Sequence, residues 1–385
     1  MVRRNDVYNS EPFGTPSRKA KDGSLMGVIL FIVLLALTLS LSVALFIAYL
    51  TPHVSPTTFG SLTIVGIFAP ILYISVAICM LIWVVMGRWR IAGVVALMLI
   101  PGLFRFSDFY NVELHREVEK KPSRNSFSLM SYNVRGFRND NSMRSVDGYV
   151  EYLAEQDIPD VVCFQEYALD MPFVERVDSL FQARHSKVYC KDVVEAGEVV
   201  LRTYSRYPII ASGAISGEGR GTSQWVDVVI KNDTLRIFNN HLYTMNISSV
   251  DSSDIEHGRI LQDGDRMRSI VDRIATNSSV RADFVDTLSM VINNSPYRRV
   301  VCGDFNDTPM SYVYGELIEE LVDAFEQCGS GYGYTFRPMY GTLRIDYILH
   351  SPELETESYK VDKEVKLSDH LPVTARIKLP SKSTK

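Results

Sequence analysis

Residues Leu25–Leu50 form a run of 26 without a single charged side chain, rich in Leu, Val and Ile. At 1.5 Å per residue such a run covers roughly 39 Å as a helix, more than a hydrocarbon core of about 30 Å. A helix satisfies its own backbone in lipid, so this stretch is expected to cross a membrane. It is longer than the apolar region of a signal peptide, and IAYLTPHVS offers a poor small-residue cleavage site. A retained anchor follows. A second uncharged run occupies 62–86, with Pro70 as a tolerated bend. A third segment, 89–106, has only 14 uncharged residues, 91–104, and spans if Trp89 and Phe106 anchor it and Arg90 and Arg105 snorkel outward. An interfacial or re-entrant helix is its alternative.

Charge divides the chain at the same place. Of 40 Lys and Arg, 8 precede residue 106, and so do 3 of 45 Asp and Glu, which leaves 32 against 42, or -10, for 106–385. The N-terminal tail, 1–24, carries Arg3, Arg4, Arg18, Lys19 and Lys21, the 51–61 loop carries none, and the next turn carries Arg88 and Arg90. Lys and Arg resist translocation, so the N-terminus is read as cytoplasmic. Three spans place the large domain outside the cytoplasm, the orientation favoured; two place it inside, the side to which Arg116, Lys120, Lys121 and Arg124 pull. Residues 107–125 read as a linker, 126–379 as the large domain and 380–385 as a tail. The five cysteines have no CxxC spacing, so neither a zinc ribbon nor a disulfide scaffold is indicated.

Within 126–379, runs rich in Val, Ile and aromatics lie between turn residues at 127–134, 160–167, 198–205, 224–231, 234–242, 298–305 and 343–350, and these read as strands. Apolar spacing at Met143, Val146, Val150 and Leu153, and along 265–293, reads as amphipathic helix. Strands with helices interspersed imply a layered α+β or α/β domain.

Polar groups collect where these apolar runs end: Asn133, Glu166, His241, Asp304 with Asn306, Asp346, and Asp369 with His370. Oxygen-rich donors with few nitrogens suit a hard cation such as Mg²⁺, with Mn²⁺ as the alternative, and histidines and asparagines beside it suit a phosphoryl group. Taken singly, Asn133 and Asn306 read equally as turn residues, Asp369 as a cap, Asp346 as a buried partner for an Arg, and His241 as a core histidine. Glu166, closing VVCF, is costly so near a core without a partner.

The ordered set SYNVRG, QE, NNHL, GDFN, RIDYIL and SDHLP resembles the endonuclease/exonuclease/phosphatase superfamily over roughly 126–379. The resemblance implies a deoxyribonuclease-I-like four-layered αββα sandwich, an α+β fold, here preceded by two to three transmembrane helices. It implies that Asn133 and Glu166 hold the metal with Asp369 near it. His241 and Asn306 would contact the phosphate, and Asp304 and His370 would orient or deprotonate the attacking water. Asp346 would fix the tautomer of His370.

The expected function is therefore a membrane-anchored, Mg²⁺-dependent phosphodiesterase of endonuclease or exonuclease type. A phospholipid or small-molecule phosphoesterase is the alternative, and a catalytically inactive tethered binding protein the rival from another class. The partners expected are the bilayer and a phosphoester, either nucleic acid or lipid headgroup, with no protein partner inferred. A charge of -10 and the absence of a Lys/Arg run near the site weigh against nonspecific nucleic-acid affinity. Two Gly-rich loops, 216–224 with Arg220 and 329–336 with Tyr332, Tyr334 and Phe336, are candidate substrate contacts or plain hairpin loops.

Overall fold

A computed structural model describes residues 25–112, 122–138, 146–167, 171–195, 198–217, 219–247 and 249–380. Both tails, residues 113–121 of the expected linker and Met143 of the expected first helix lie outside the described residues.

The N-terminal part is helical: α1 (Leu25–Leu50), α2 (Leu62–Ile67), α3 (Ala69–Val85) and α4 (Trp89–Phe104). By length and composition α1 is the helix among the described residues able to cross a membrane, whereas α3 and α4 are apolar but shorter, 17 and 16 residues. The uncharged run 62–86 is not one helix. It breaks at Phe68, two residues before Pro70, because Pro70 has no N–H for the Gly66 carbonyl and its ring would clash there, whereas the first turn of α3 tolerates it.

Long helices α1 and α3 run antiparallel. At one end Trp83 donates from Nε1 to Thr38 Oγ1 (3.0 Å) and packs edge-on against Phe31; at the other, Tyr49, Tyr73 and Gly102 meet. Leu45, Val76, Trp83, Ala92, Val95 and Leu99 form their common core, while Leu30, Ile71, Ile78, Leu97 and Leu103 point outward, exposed.

Among the described residues the two main sheets of the large domain have twelve strands: β1 (Ser126–Asn133), β2 (Val161–Gln165), β3 (Tyr189–Glu195), β4 (Glu198–Ser205), β5 (Ile209–Ser216), β6 (Gly221–Ile230), β7 (Asp233–Leu242), β8 (Arg298–Asp304), β9 (Val322–Asp323), β10 (Asp346–His350), β11 (Glu355–Val361) and β12 (Val373–Lys378). They form two six-stranded sheets, ordered β11-β12-β1-β2-β4-β3 and β9-β10-β8-β7-β6-β5. Each sheet has one parallel pair near its centre, β1 with β2 and β7 with β8; every other pairing is antiparallel.

Strand alternation explains the layering. Phe127 and Leu129 of β1, Val161 and Cys163 of β2, Ile237 of β7, Val300 and Cys302 of β8 and Ile348 of β10 face inward and join the two sheets. The intervening Met130, Tyr132, Val162 and Phe164 face α5 (Val146–Glu155) and α6 (Met171–Arg184). On the other side Phe238, Val301, Tyr347 and Leu349 face α7 (Gly264–Asn293) and α8 (Tyr312–Ile318). The result is the expected αββα sandwich. The strands β3, β5, β9, β11 and β12 lie outside the runs read as strands, and the 216–224 loop is largely strand, with Gly217 N–H donating to Gly221 O (2.9 Å).

The segment between α1 and α3 belongs to the large domain's packing. Ile64 and Ile67 of α2 join Met245, Ile270, Ile274, Met339, Leu343 and Ile345 in one apolar cluster. Thr51 donates its hydroxyl to Met310 O (2.6 Å) and Ser279 to Pro56 O (2.8 Å). Gly66 makes the approach possible, since a Cβ there would lie 2.3 Å from that same Met310 carbonyl.

Candidate active site

The same alternation carries polar residues to one end of the inter-sheet space. Asn133 continues the inward stripe of Phe127 and Leu129, His241 that of Leu235 and Ile237, Asp304 that of Val300 and Cys302, while Asp346 opens β10 in register with Asp304. His241 and Asp304 are themselves register partners across the parallel pair β7 and β8. Glu166 follows β2, with φ 50°, and Asn306 follows β8, with φ 52°. This left-handed backbone is uncommon for residues with a side chain and clusters at functional sites. Gly303, at φ 137°, sits where a Cβ would fall 2.0 Å from Asn240 O, so the β7–β8 contact at the mouth requires glycine.

Asp304 is the hub. Its Oδ2 accepts from Asn133 Nδ2 (2.9 Å) and Asn306 Nδ2 (3.1 Å), and its Oδ1 from the Asn306 backbone N–H (2.8 Å). Asn133 Nδ2 also donates to Glu166 Oε1 (3.0 Å), while its Oδ1 accepts from Arg135 N–H (3.0 Å). Asn306 further donates to Leu242 O (3.1 Å). His241 Nε2 lies 3.4 Å from Glu166 Oε1 and 3.8 Å from Asp304 Oδ2, yet it makes no well-aligned hydrogen bond. His370 Nδ1 donates to Asp346 (3.0 and 3.1 Å), its Nε2 lies 3.6 Å from Asp304 Oδ2, and Phe336 packs edge-on against its ring at 5.0 Å. Asp346 is anchored by its own N–H to Thr335 Oγ1 (3.0 Å).

Charge sets the protonation states. Burial pushes Glu166 up, but His241 and the Asn133 amide outweigh it and hold the carboxyl at about 2. Burial pushes both imidazoles down; Glu166 and Asp304 nonetheless raise His241, and Asp346 with Asp304 hold His370 well above the ordinary histidine value. Asp346 itself is pushed up by burial, against the pull of His370.

Seven of the eight expected residues converge here. Glu166, His241 and Asp304 offer ligand atoms within 4.8 Å of one another, and so do Asp304, Asp346 and His370. Asp369 stands apart from both groups: its carboxylate accepts from Ser368 Oγ (3.2 Å) and faces Arg135 Nε (3.4 Å). Two carboxylates, Glu166 and Asp304, side by side at the mouth fit a hard divalent cation, which prefers charged oxygen donors.

Beneath the mouth lies a polar layer that the sequence reading did not single out. Gln165 Nε2 donates to Asn239 Oδ1 (2.7 Å), and Asn239 Nδ2 to Phe164 O (3.1 Å) and Thr203 Oγ1 (3.2 Å), tying the sheets together. Buried Arg281 donates from Nε to Asp307 Oδ2 (3.1 Å) behind the GDFND turn. The signal for the first was present, since Gln165 and Asn239 occupy inward positions one step before the mouth.

Paired sheets with such a cluster at one mouth define the class of divalent-metal-dependent phosphoester hydrolases. The model of the Endonuclease/Exonuclease/phosphatase family matches residues 130–370, and the chain belongs to that family. It is an enzyme of that class. Similar solved structures include an endonuclease/exonuclease/phosphatase from Beutenbergia cavernae DSM 12333 (19% identity over 67% of this chain and 72% of that one, TM-score 0.47). Humanized D. rerio TDP2 with 14 mutations (17%, 66% and 99%, 0.47) and D. rerio TDP2 complexed with single strand DNA product (18%, 66% and 98%, 0.46) are others. No curated protein matches the chain.

Proposed function

We propose that the chain is a membrane-anchored phosphodiesterase using Mg²⁺, with Mn²⁺ as a substitute. The carrying observation is Asp304, whose one carboxylate belongs to both ligand groups, Glu166 with His241 on one side and Asp346 with His370 on the other. Asn133 and Glu166 would hold the cation, and Asp369 sits at the rim with Arg135. A cation held there would supply Lewis-acid charge to a phosphoryl oxygen. His241, whose Nε2 has no aligned partner, would donate to the phosphate, and Asn306 would reach it only by giving up one of its bonds to Leu242 O and Asp304 Oδ2. His370, kept protonated by two facing carboxylates, donates as well, and Asp346 fixes its orientation through Nδ1. Proton acceptance from the attacking water then falls to a carboxylate, and Asp304 is the one aimed at both halves of the site.

A nucleic-acid phosphodiester is the first substrate reading. A lipid headgroup is the second, favoured by the packing of the 51–68 segment on the loops that follow β7 and β8 and precede β10, the loops that rim the site. In this reading α1, α3 and α4 span the bilayer, the basic tail and Arg88 lie on the cytoplasmic side, and the catalytic domain lies outside. Hydrolysis of DNA, RNA, sphingomyelin and phosphoinositide by the full chain in detergent, with and without chelator, tests it. We expect chelation to abolish turnover and Mg²⁺ or Mn²⁺ to restore it; full activity in excess chelator would sink the metal assignment.

A further inference from the structure

Where the membrane helices meet the catalytic domain there is a cavity of about 180 Å³. Its walls are almost wholly apolar: Leu45 and Tyr49 of α1, Tyr73 and Ile74 of α3, and, from the catalytic domain, Met310 and Tyr332. A single water needs roughly 10–15 Å³ measured in this way together with 2–4 polar partners, so there is room for many waters and little to hold them. Ile74 is 59% exposed on the outer face of α3, so the cavity communicates with the surface that Ile71, Ile78 and Leu103 present outward. Phe106, Phe109 and Tyr110 crowd its rim beside Arg105, a combination of rings and cation suited to the headgroup level of a bilayer.

We propose that this cavity seats one acyl chain of a phospholipid, drawn in sideways past Ile74 until it touches Met310 and Tyr332. The inference rests on α1, α3 and α4 being embedded in lipid, and it holds whether or not that lipid is hydrolysed. Two of the cavity's wall residues adjoin the chemistry in sequence. Met310 lies four residues beyond Asn306, and Tyr332 lies on the loop whose Phe336 packs on His370. An acyl chain here is a solvent for catalytic-domain residues, which an anchor alone does not require.

The test uses the full chain in nanodiscs of phosphatidylcholine doped with phosphatidylcholine carrying a diazirine at the end of one acyl chain. Irradiation should leave adducts on Met310 and Tyr332, residues that a merely adjacent bilayer does not reach. Ile74→Trp, which plugs the entrance, should cut those adducts by roughly tenfold or more, the scale on which an apolar pocket rejects a group it cannot fit. Ile71→Trp, on the same helix and equally exposed but not in the wall, should leave them unchanged. Hydrolysis of bis(p-nitrophenyl) phosphate in detergent checks that both variants fold. Labelling confined to Ile71, Ile78 and Leu81, or an equal loss in the two variants, would overturn the acyl site while leaving the anchor intact. Failure of the full chain to float with vesicles would overturn both the anchor and the acyl site.

Discussion

His370 holds its proton because two carboxylates face it from different strands, Asp346 at Nδ1 and Asp304 beyond Nε2. Removing either member of the Asp346–His370 pair should therefore act on one unit. We expect His370→Ala to lower kcat by ~10²-fold or more, the scale of a positioned proton donor or acceptor, and Asp346→Asn to cost a comparable factor. The double variant should lose far less than the product of the two, because a pair that works together is lost once. Steady-state kinetics on one chromogenic phosphodiester reads all three; a simple product of effects would mean that the two side chains act independently. Glu166 belongs to the other group. Its carboxyl, at about 2, stays charged through the whole working range, so Glu166→Gln should weaken the dependence of rate on added Mg²⁺ as well as the rate itself. Titration of activity against metal concentration separates the two effects.

Strand β10 joins two different histidine environments. It begins at Asp346, in the site, and ends at His350, fully buried, whose Nδ1–H donates to Ser351 O (2.9 Å) while Nε2 accepts from Thr356 Oγ1 (2.8 Å). Burial pushes this imidazole below its ordinary 6.5, so the folded state keeps it neutral. Its contribution to stability is present above pH 6.5 and is lost as pH falls through the depressed folded value. Denaturant unfolding should thus show a constant midpoint above neutrality and a falling one toward pH 5, and His350→Gln should flatten that fall. These element-level features were unequally legible in the sequence. Runs rich in Val, Ile and aromatics between turn residues announced β1, β2, β7 and β8, and with them Asn133, Glu166, His241 and Asp304, because an apolar run must end in whatever lines the mouth. Helix α7 was equally plain, with Asp263 capping Arg266 N–H at 3.0 Å. The left-handed backbone at Glu166 was not, since glutamate has no propensity that marks it, and Asp369 gave no sign that Arg135 would face it. Most deceptive was 62–67. An apolar run reads alike whether lipid or a protein core receives it, and Ile64 and Ile67 went to the core.

At the scale of the whole molecule, that misdirected run ties the two parts together. A chain lacking the first 106 residues would leave Met245, Ile270, Ile274, Met339, Leu343 and Ile345 without their cover, so the catalytic domain is expected to melt lower when truncated there than in the full chain. Differential scanning fluorimetry of the two forms in one detergent decides this; equal midpoints would mean that the segment only rests on the domain. In the proposed membrane-anchored reading, the antiparallel course of α1 and α3, with α4 returning, predicts a topology. Reporters after residue 60 and after residue 380 should lie on one side of the membrane, and a reporter after Gly87 on the other.

Contact with the catalytic domain is made twice, by the 51–68 segment and again where Tyr110 and Asn111 pair with Tyr332 and Gly331. A body held at two points cannot swivel as one on a single tether can. In a chain anchored in a bilayer as proposed, the mouth would keep a fixed height and tilt above the surface, and the molecule would diffuse as a tool with a set working depth. Turnover of a bilayer substrate would then follow the fraction of the surface that substrate occupies, falling as inert lipid is added at constant bulk concentration, whereas a substrate in free solution would register only its molarity.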